Sequence, residues 1–392
     1  MPQYHFSKVC SGPKSSVISD ILALTRKPEI ISFAGGLPSP AGFPVETVRQ
    51  SADWVLATNG PKALQYSSSE GAAQLRAEIA RRETERGCPT DPDEVIIVTG
   101  SQQALDMVAR AFIDEGDKIL VESPTYLGAL GAFDLCKPTY VTIPVDQGGM
   151  NPDLMGEDCR GARFAYVMPT FANPTGITID LERRKKLVEK AREYDLLLVE
   201  DDPYGELYYK EPSPVCLRAL APERVVKLGT FSKVLSPGFR LGYIVAPKPV
   251  LEVFLWLKQS MDLHSSTYVQ MVAAKTLSTG LFATHLPKVR ELYKAQCQAM
   301  LDALDEFMPK DPRISWTRPE GGMFIWVNLP ESIDATAMLS ECIAKCVAYV
   351  PGEAFFAGAP EKNHFRLSFV TVPADRIRQG VKAIAEVLAN HL

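Results

Sequence analysis

An α/β fold is predicted, in which a large, mostly parallel sheet carries helices on both faces and joins a smaller α+β domain. Three observations carry that expectation. Apolar runs such as VIIV, ILVES, FAYVM, LLLVE and VVKLGT have the composition of strands buried on both faces. Segments of helical spacing separate them, among them SQQALDMVARAF and IDLERRKKLVEKAREY, which is the rhythm of right-handed crossovers between parallel strands. The length of 392 residues exceeds the size at which one core stops growing, so a second, smaller unit is expected.

Composition narrows the function. Hydrophobic residues make up 46% and charged residues 23%, the balance of an ordinary globular chain. A formal net charge of −5 leaves no basic field for nucleic acid or an anionic membrane, which favours small-molecule chemistry. The opening MPQYHFSKVCSGPKSS has no apolar core of signal-peptide length and no run approaches a membrane span, so a cytoplasmic protein is expected. Eight scattered cysteines read as reduced thiols. Cys342 and Cys346 share a helix face, but no histidine lies near, and no metal is expected.

Taken in order, SVISDILALTRK predicts a helix stopped by Pro28 and laid as an arm on the body. IISFAGGLPSPAGFP reads as a short strand entering Gly35 and Gly36, where the backbone either turns tightly or approaches another group closely. A helix follows over about 44–58, then LQYSSSEG, a loop with Tyr66, and another helix. VIIVTG leads into a helix that begins at Ser101 and Gln102. That junction is either an anion site, with backbone N–H groups and two polar side chains, or simple N-capping by Ser101. DKILVES ends at Pro124, Thr125 and Tyr126, which puts Tyr126 beyond a strand's carboxyl end, where open parallel sheets bind ligands. RFAYVMP precedes Asn173-Pro174-Thr175-Gly176. DLLLVEDDPY places Asp201 and Asp202 at a strand end, either desolvated and in need of a cation or solvated in a loop. VVKLGTFSK then brings Lys233, with Arg240 seven residues on across a glycine-bearing turn, a pattern that suits an amine nucleophile beside an anion.

The remainder predicts a helix from PVLEVFLWLKQS and a long helical region over about 266–307, interrupted near Pro287. RISWTRPEGGMFIWVNLP reads as two strands around Gly321-Gly322, DATAMLSECIAKCV as a helix, VAYVPGEAFF and HFRLSFV as short strands, and the last 19 residues as a helix. Arg366, inside an apolar strand, either snorkels or binds a carboxylate. The expected division is an N-terminal arm over 1–44, a large domain over 45–285 and a small domain over 286–392.

FAGGLP, LQYSSSEG, NPTG, EDDPY, GTFSK and PGFRLGY occur here in one order. Together they resemble the fold-type I pyridoxal-phosphate enzymes, specifically the class I and II aminotransferases and their kynurenine/2-aminoadipate branch. The resemblance spans nearly the whole chain and implies a seven-stranded type of large sheet. It makes Lys233 the residue that bonds the cofactor aldehyde and moves the proton, with Arg240, Thr230, Ser232, Ser101 and Gln102 around the phosphate. Tyr126 is implied to stack on the pyridine, Asn173 and Tyr204 to donate to its phenolic oxygen, and Asp201 to pair with its ring nitrogen. Arg366, Asn173 and Gly36 are implied to hold the substrate α-carboxylate, and Tyr66 to reach the phosphate of a neighbouring subunit, which implies a homodimer with composite sites.

The implied reaction is ping-pong amino transfer from an L-α-amino acid to a 2-oxo acid such as 2-oxoglutarate or pyruvate. Some relatives carry a first-helix arginine for a distal carboxylate, and its place here is Ser16, so aromatic or aliphatic donors are favoured, with Tyr4, Phe6, Leu37 and Phe355 as pocket candidates. The same cradle serves carbon–sulfur β-lyases. It also serves the effector-binding half of transcription regulators, which carry an additional winged-helix module for which the stretch ahead of Gly35 is expected to be too short.

Overall fold

The structure is a computed structural model that describes residues 4–11 and 29–392. The helix expected over 16–27, and with it Ser16, lies outside the described residues. In chain order the strands are β1 Ile31–Ser32, β2 Val95–Val98, β3 Lys118–Ser123, β4 Thr139–Asp146, β5 Gly149–Met150, β6 Phe164–Val167 and β7 Leu197–Asp201. They continue as β8 Val225–Thr230, β9 Gly242–Val245, β10 Ser315–Trp316, β11 Phe324–Asn328, β12 Val347–Ala348, β13 Val350–Pro351 and β14 His364–Ser368.

The large sheet runs β2-β9-β8-β7-β6-β3-β4-β5. Pairing from β8 through β4 is parallel, while β9 lies antiparallel between β2 and β8. The eighth strand, β5, has two residues and folds back antiparallel on β4, so it extends the expected seven-stranded sheet at one edge. Strands β2, β6 and β8 are buried along their whole length, β2 even at the sheet edge, which is why their sequences are largely apolar runs and do not alternate. Helix Ser101–Phe112 covers one face through Ala104, Leu105, Met107, Val108 and Ala109. Helix Leu181–Glu193 packs elsewhere through Leu187, Val188 and Ala191. Among the described residues no helix is long and apolar enough to cross a membrane.

A second, antiparallel sheet has the order β10-β11-β14-β13. Helices Leu281–Phe307 and Ala374–Leu388 pack on each other beside it. β1 pairs in parallel with β12, so the segment before Gly35 joins the C-terminal part of the chain.

Four local expectations change. Helix Ala335–Ala344 ends before Cys346, which takes φ 59°, so Cys342 and Cys346 share no helix face. The helical region over 266–307 breaks at Gly280, in the left-handed conformation at φ 71°, and not near Pro287, which lies inside helix Leu281–Phe307. Glycine takes that conformation without a Cβ penalty. The helix tolerates the proline because the buried Phe282, Leu286, Val289 and Tyr293 hold it against the core. Ser101 is the first helical residue and not the N-cap, a place taken by Gly100 at φ 80°, and the helix start has no side-chain cap. Gly35 and Gly36 make no left-handed turn, and a Cβ on Gly36 would meet the Phe324 ring at 3.4 Å, an ordinary contact, so neither a turn nor a tight approach requires glycine there.

Beneath the end of β7 lies a buried ionic network. Lys227 Nζ is 2.5 Å from Glu83 Oε2 and 3.5 Å from Asp202 Oδ2. Arg86 reaches Glu83 at 3.2 Å and Asp202 at 2.8 Å, and the Tyr243 hydroxyl donates to Glu83 at 2.6 Å. Burial works against ionising Asp202, but Arg86 and Lys227 prevail and hold its carboxyl well below the usual range. Removing a partner from such a network leaves a buried charge and costs about 3–5 kcal/mol. Asp202 is thereby committed to the scaffold, and Asp201, its neighbour, is left for other work.

Candidate active site

The site is assembled from strand ends and from the extended segment after β1. That segment supplies two backbone carbonyls to two cations: Arg366 Nη2 donates to Ala34 O at 2.8 Å, and Lys233 Nζ donates to Gly36 O at 2.7 Å. Arg366 Nη1 donates to Asn173 Oδ1 at 2.7 Å, which links β14 of the small sheet to the loop after β6. Its guanidinium carbon lies 4.2 Å from the centroid of the Phe324 ring and 5.2 Å from that of Phe355. Arg366 Nε is buried without a partner. Burial draws the guanidinium down to about 10. A desolvated fork with a spare donor matches a carboxylate, so of the two readings of this arginine, snorkelling is excluded by geometry.

Lys233 follows β8 through Phe231 and Ser232. Burial, then Arg366 and Arg240, push its ammonium down to about 8. A lysine with no carboxylate in contact and two cations nearby is poised to lose its proton near neutrality. Asp201 ends β7 at 2% exposure. Its Oδ2 accepts from the Tyr166 hydroxyl at 2.7 Å, and its Oδ1 is buried with no partner. Burial pushes the Asp201 carboxyl up to about 7, with the Tyr166 bond acting against that rise and Asp202 adding to it. Of the two aspartates at this strand end, only Asp201 lacks a cation.

Across the turn, Arg240 is held at φ 50° and its guanidinium lies over the start of helix Ser101–Phe112, where a Cβ on Gly100 would come within 2.5 Å of Nη2. The Thr230 and Ser232 hydroxyls stand 3.1 Å apart, and Ser232 N donates to Thr230 Oγ1 at 3.1 Å. Gln102 Nε2 donates to Gly128 O at 3.0 Å, beside the Tyr126 ring, which folds over Gly128. Tyr204 is buried and meets Phe324 edge-on at 5.8 Å. Burial raises the Tyr126 and Tyr204 hydroxyls, and both feel Asp201 and Arg366.

Lys233, Asp201, Asn173, Tyr204, Tyr126, Arg366, Gly36 and the Thr230–Arg240 turn are therefore brought to one region, with Ser101 and Gln102 at its edge. Tyr66 is not: it is 79% exposed and meets His264 edge-on at 5.7 Å. Tyr4 and Phe6 are exposed, with their rings 6.3 Å apart, and Leu37 is exposed as well. Phe355 lies buried under Arg366. A cleft of about 810 Å³ opens between Pro144–Gln147 and Trp316–Glu320, but its lining contains none of Lys233, Asp201 and Arg366, so volume does not locate the chemistry.

Two contributors were absent from the sequence reading. Arg184 is fully buried and donates to Pro169 O and Ile179 O, both at 2.8 Å, and so clamps the loop that carries Asn173. Its signal was available, since 184, 187, 188 and 191 form the buried stripe of that helix. Tyr166, a polar tip in an otherwise apolar strand, is the other.

Fold and geometry together define a buried, lysine-centred site with two arginines nearby at the carboxyl ends of an open α/β sheet. Residues 29–384 match the family Aminotransferase class I and II, and the chain belongs to it. It is a pyridoxal-phosphate-dependent aminotransferase of fold type I, in the branch with aromatic-amino-acid, kynurenine and 2-aminoadipate aminotransferases. Aromatic-amino-acid aminotransferase 1 of Thermococcus litoralis is 45% identical over 99% of this chain and 95% of its own. The kynurenine aminotransferase of Pyrococcus horikoshii superposes with a TM-score of 0.95 at 42% identity, covering 99% of this chain and 97% of that one. LysN, the α-aminoadipate aminotransferase of Thermus thermophilus, solved with N-(5'-phosphopyridoxyl)-L-leucine, superposes at 0.91 and 40% identity over 98% and 97% of the two chains.

Proposed function

We propose that this aminotransferase takes aromatic L-amino acids as preferred donors, with a 2-oxo acid such as 2-oxoglutarate or pyruvate as acceptor, and that Lys233, Asp201 and Arg366 carry the reaction. The observation that carries the reading is the pair of cations, Lys233 and Arg366, bonded to Gly36 O and Ala34 O on one extended segment, with the unpaired Asp201 oxygen nearby. The residues present fit the cofactor. A buried carboxylate oxygen without a partner suits a protonated ring nitrogen, and Arg240 over a helix N-terminus with Thr230 and Ser232 suits a phosphate. Ser101 and Gln102 would join that phosphate cradle, Tyr126 would lie against the ring, and Asn173 and Tyr204 would donate to its phenolic oxygen.

When bound, pyridoxal phosphate supplies an electrophilic carbon for the amino group and a conjugated ring that takes up the electron pair left at the α-carbon. Asp201 holds positive charge at the ring nitrogen. Arg366, with Asn173 and Gly36, grips the α-carboxylate and orients the α C–H bond. Lys233, neutral above about pH 8, takes the α-proton as general base and returns it on the other side of the transfer.

An aromatic donor is favoured by the activities named for the Thermococcus and Pyrococcus relatives. The reading extends to a homodimer in which Tyr66 reaches the neighbouring subunit's phosphate, supported by the exposure of Tyr66 with Leu64 and Leu263. The eight unpaired thiols support a reducing, cytoplasmic setting. The division into 1–44, 45–285 and 286–392 is supported at its start by the β1–β12 pairing; its second boundary falls inside helix Leu281–Phe307, which spans from one domain to the other.

A panel of amino donors against 2-oxoglutarate and pyruvate tests the substrate reading. Phenylalanine, tyrosine or kynurenine giving the highest kcat/KM supports it, and preference for an acidic or small aliphatic donor overturns it. Pyruvate and ammonia from a cysteine conjugate, with no new amino acid, would identify a β-lyase instead. For Arg366→Lys, kcat/KM is expected to fall roughly 10- to 100-fold with cofactor retained, because an ammonium cannot reproduce the fork. Loss of cofactor in that variant would remove Arg366 from the substrate side.

A further inference from the structure

Tyr166 is fully buried in β6 and has no part in the reaction described above. Its Cα is paired with Val199 of β7, so its side chain projects to the same face as Val199 and, two residues on, Asp201. Its hydroxyl donates to Asp201 Oδ2 at 2.7 Å. The other oxygen, Oδ1, is the one left buried without a partner. The Tyr166 ring is itself set by Phe133, which meets it edge-on at 5.5 Å and 78° and closes the helix that Tyr126 begins.

An aspartate carboxylate turns about its terminal torsion in a broad well, so packing alone does not decide which way its oxygens face. A donor of fixed position on one oxygen decides it. Resting on the assignment of Asp201 to the ring nitrogen, we propose that Tyr166 is a positioning residue: its hydroxyl occupies one oxygen of Asp201 and turns the other toward the ring nitrogen of pyridoxal phosphate. The same bond favours the ionised carboxylate that a protonated ring requires. Tyr166 has no other hydrogen-bonding duty among the described contacts, so Tyr166→Phe removes this function and keeps the ring that Phe133 packs on.

The test compares cofactor affinity of the apoprotein, wild type, Tyr166→Phe and Asp201→Asn, for pyridoxal phosphate and for its 1-deaza analogue, in which C–H replaces the ring nitrogen. Tyr166→Phe is expected to weaken pyridoxal phosphate roughly 10- to 100-fold and the deaza analogue less than about threefold, the range set by a hydrogen bond to a charged group. Retained binding of the analogue also reports a folded site. Equal losses for both ligands would make Tyr166 a packing residue and overturn the proposal, as would unchanged affinity for pyridoxal phosphate. Asp201→Asn separates the two layers of inference. If it discriminates between the ligands and Tyr166→Phe does not, the proposal alone falls; if it discriminates between neither, the assignment of Asp201 falls and takes the proposal with it.

Discussion

Lys233→Ala is expected to lower turnover by about 10⁴-fold or more, because in the proposed mechanism one side chain supplies both the amine that bonds the cofactor and the general base. The nearest other cations, Arg366 and Arg240, are guanidinium groups that stay charged and cannot take the proton. Borohydride reduction of the wild type should fix pyridoxal phosphate to the peptide bearing Lys233, and the variant should release its cofactor on denaturation. The pH dependence of loading follows from the same amine. With Lys233 brought down to about 8 by burial, the rate at which apoprotein captures pyridoxal phosphate should rise about tenfold per pH unit up to about pH 8 and then level. A flat profile between pH 6 and 8, or reduction that labels another lysine, would remove Lys233 from the centre of the site.

Asp201→Asn is expected to separate activity from stability. Turnover should fall by about 10²- to 10³-fold, the usual cost of losing one preorganised electrostatic partner. The apoprotein, in contrast, should gain stability above neutral pH. Burial lifts the Asp201 carboxyl from its ordinary 3.8 to about 7, so the folded apoprotein holds a proton that the unfolded chain releases. The group costs nothing below about pH 4, where both states are protonated, and its penalty grows as pH rises to about 7. That rise sets a ceiling of about 4 kcal/mol, and water penetration lowers the value reached. Asparagine has no proton to release. Denaturation of the two apoproteins should therefore coincide near pH 4 and diverge at pH 8 in favour of Asp201→Asn. Equal stability at pH 8 would mean that Asp201 is already paired or solvated in the apoprotein.

The trade follows from what Asp201 lacks. Its neighbour Asp202 shares the same strand end and burial but has Arg86 and Lys227, and so it stabilises the fold without being free to act. A carboxylate left without a cation in a dry site destabilises the apoprotein until a cationic ligand arrives.

The order of residues along the chain was enough for the α/β class, the succession of strands and the placing of Lys233, Asp201 and Asn173 at strand ends. Those features are local: a strand buried on both faces is an unbroken apolar run, and Lys233, Asp201 and Asn173 each follow one. The Arg240 turn was legible in the same way. Which of two adjacent aspartates is free was decided in three dimensions, since the answer lies with Arg86 and Lys227 on other elements. Folding also joined Arg366 to Asn173, 193 positions apart, and Tyr166 to Asp201, 35 apart. It turned Arg184, one of several charges in its helix, into the clamp of the Asn173 loop. Hydrogen bonds between distant segments leave no local pattern in composition or periodicity, because they depend on sheet order and register, and these are settled by packing the whole core at once.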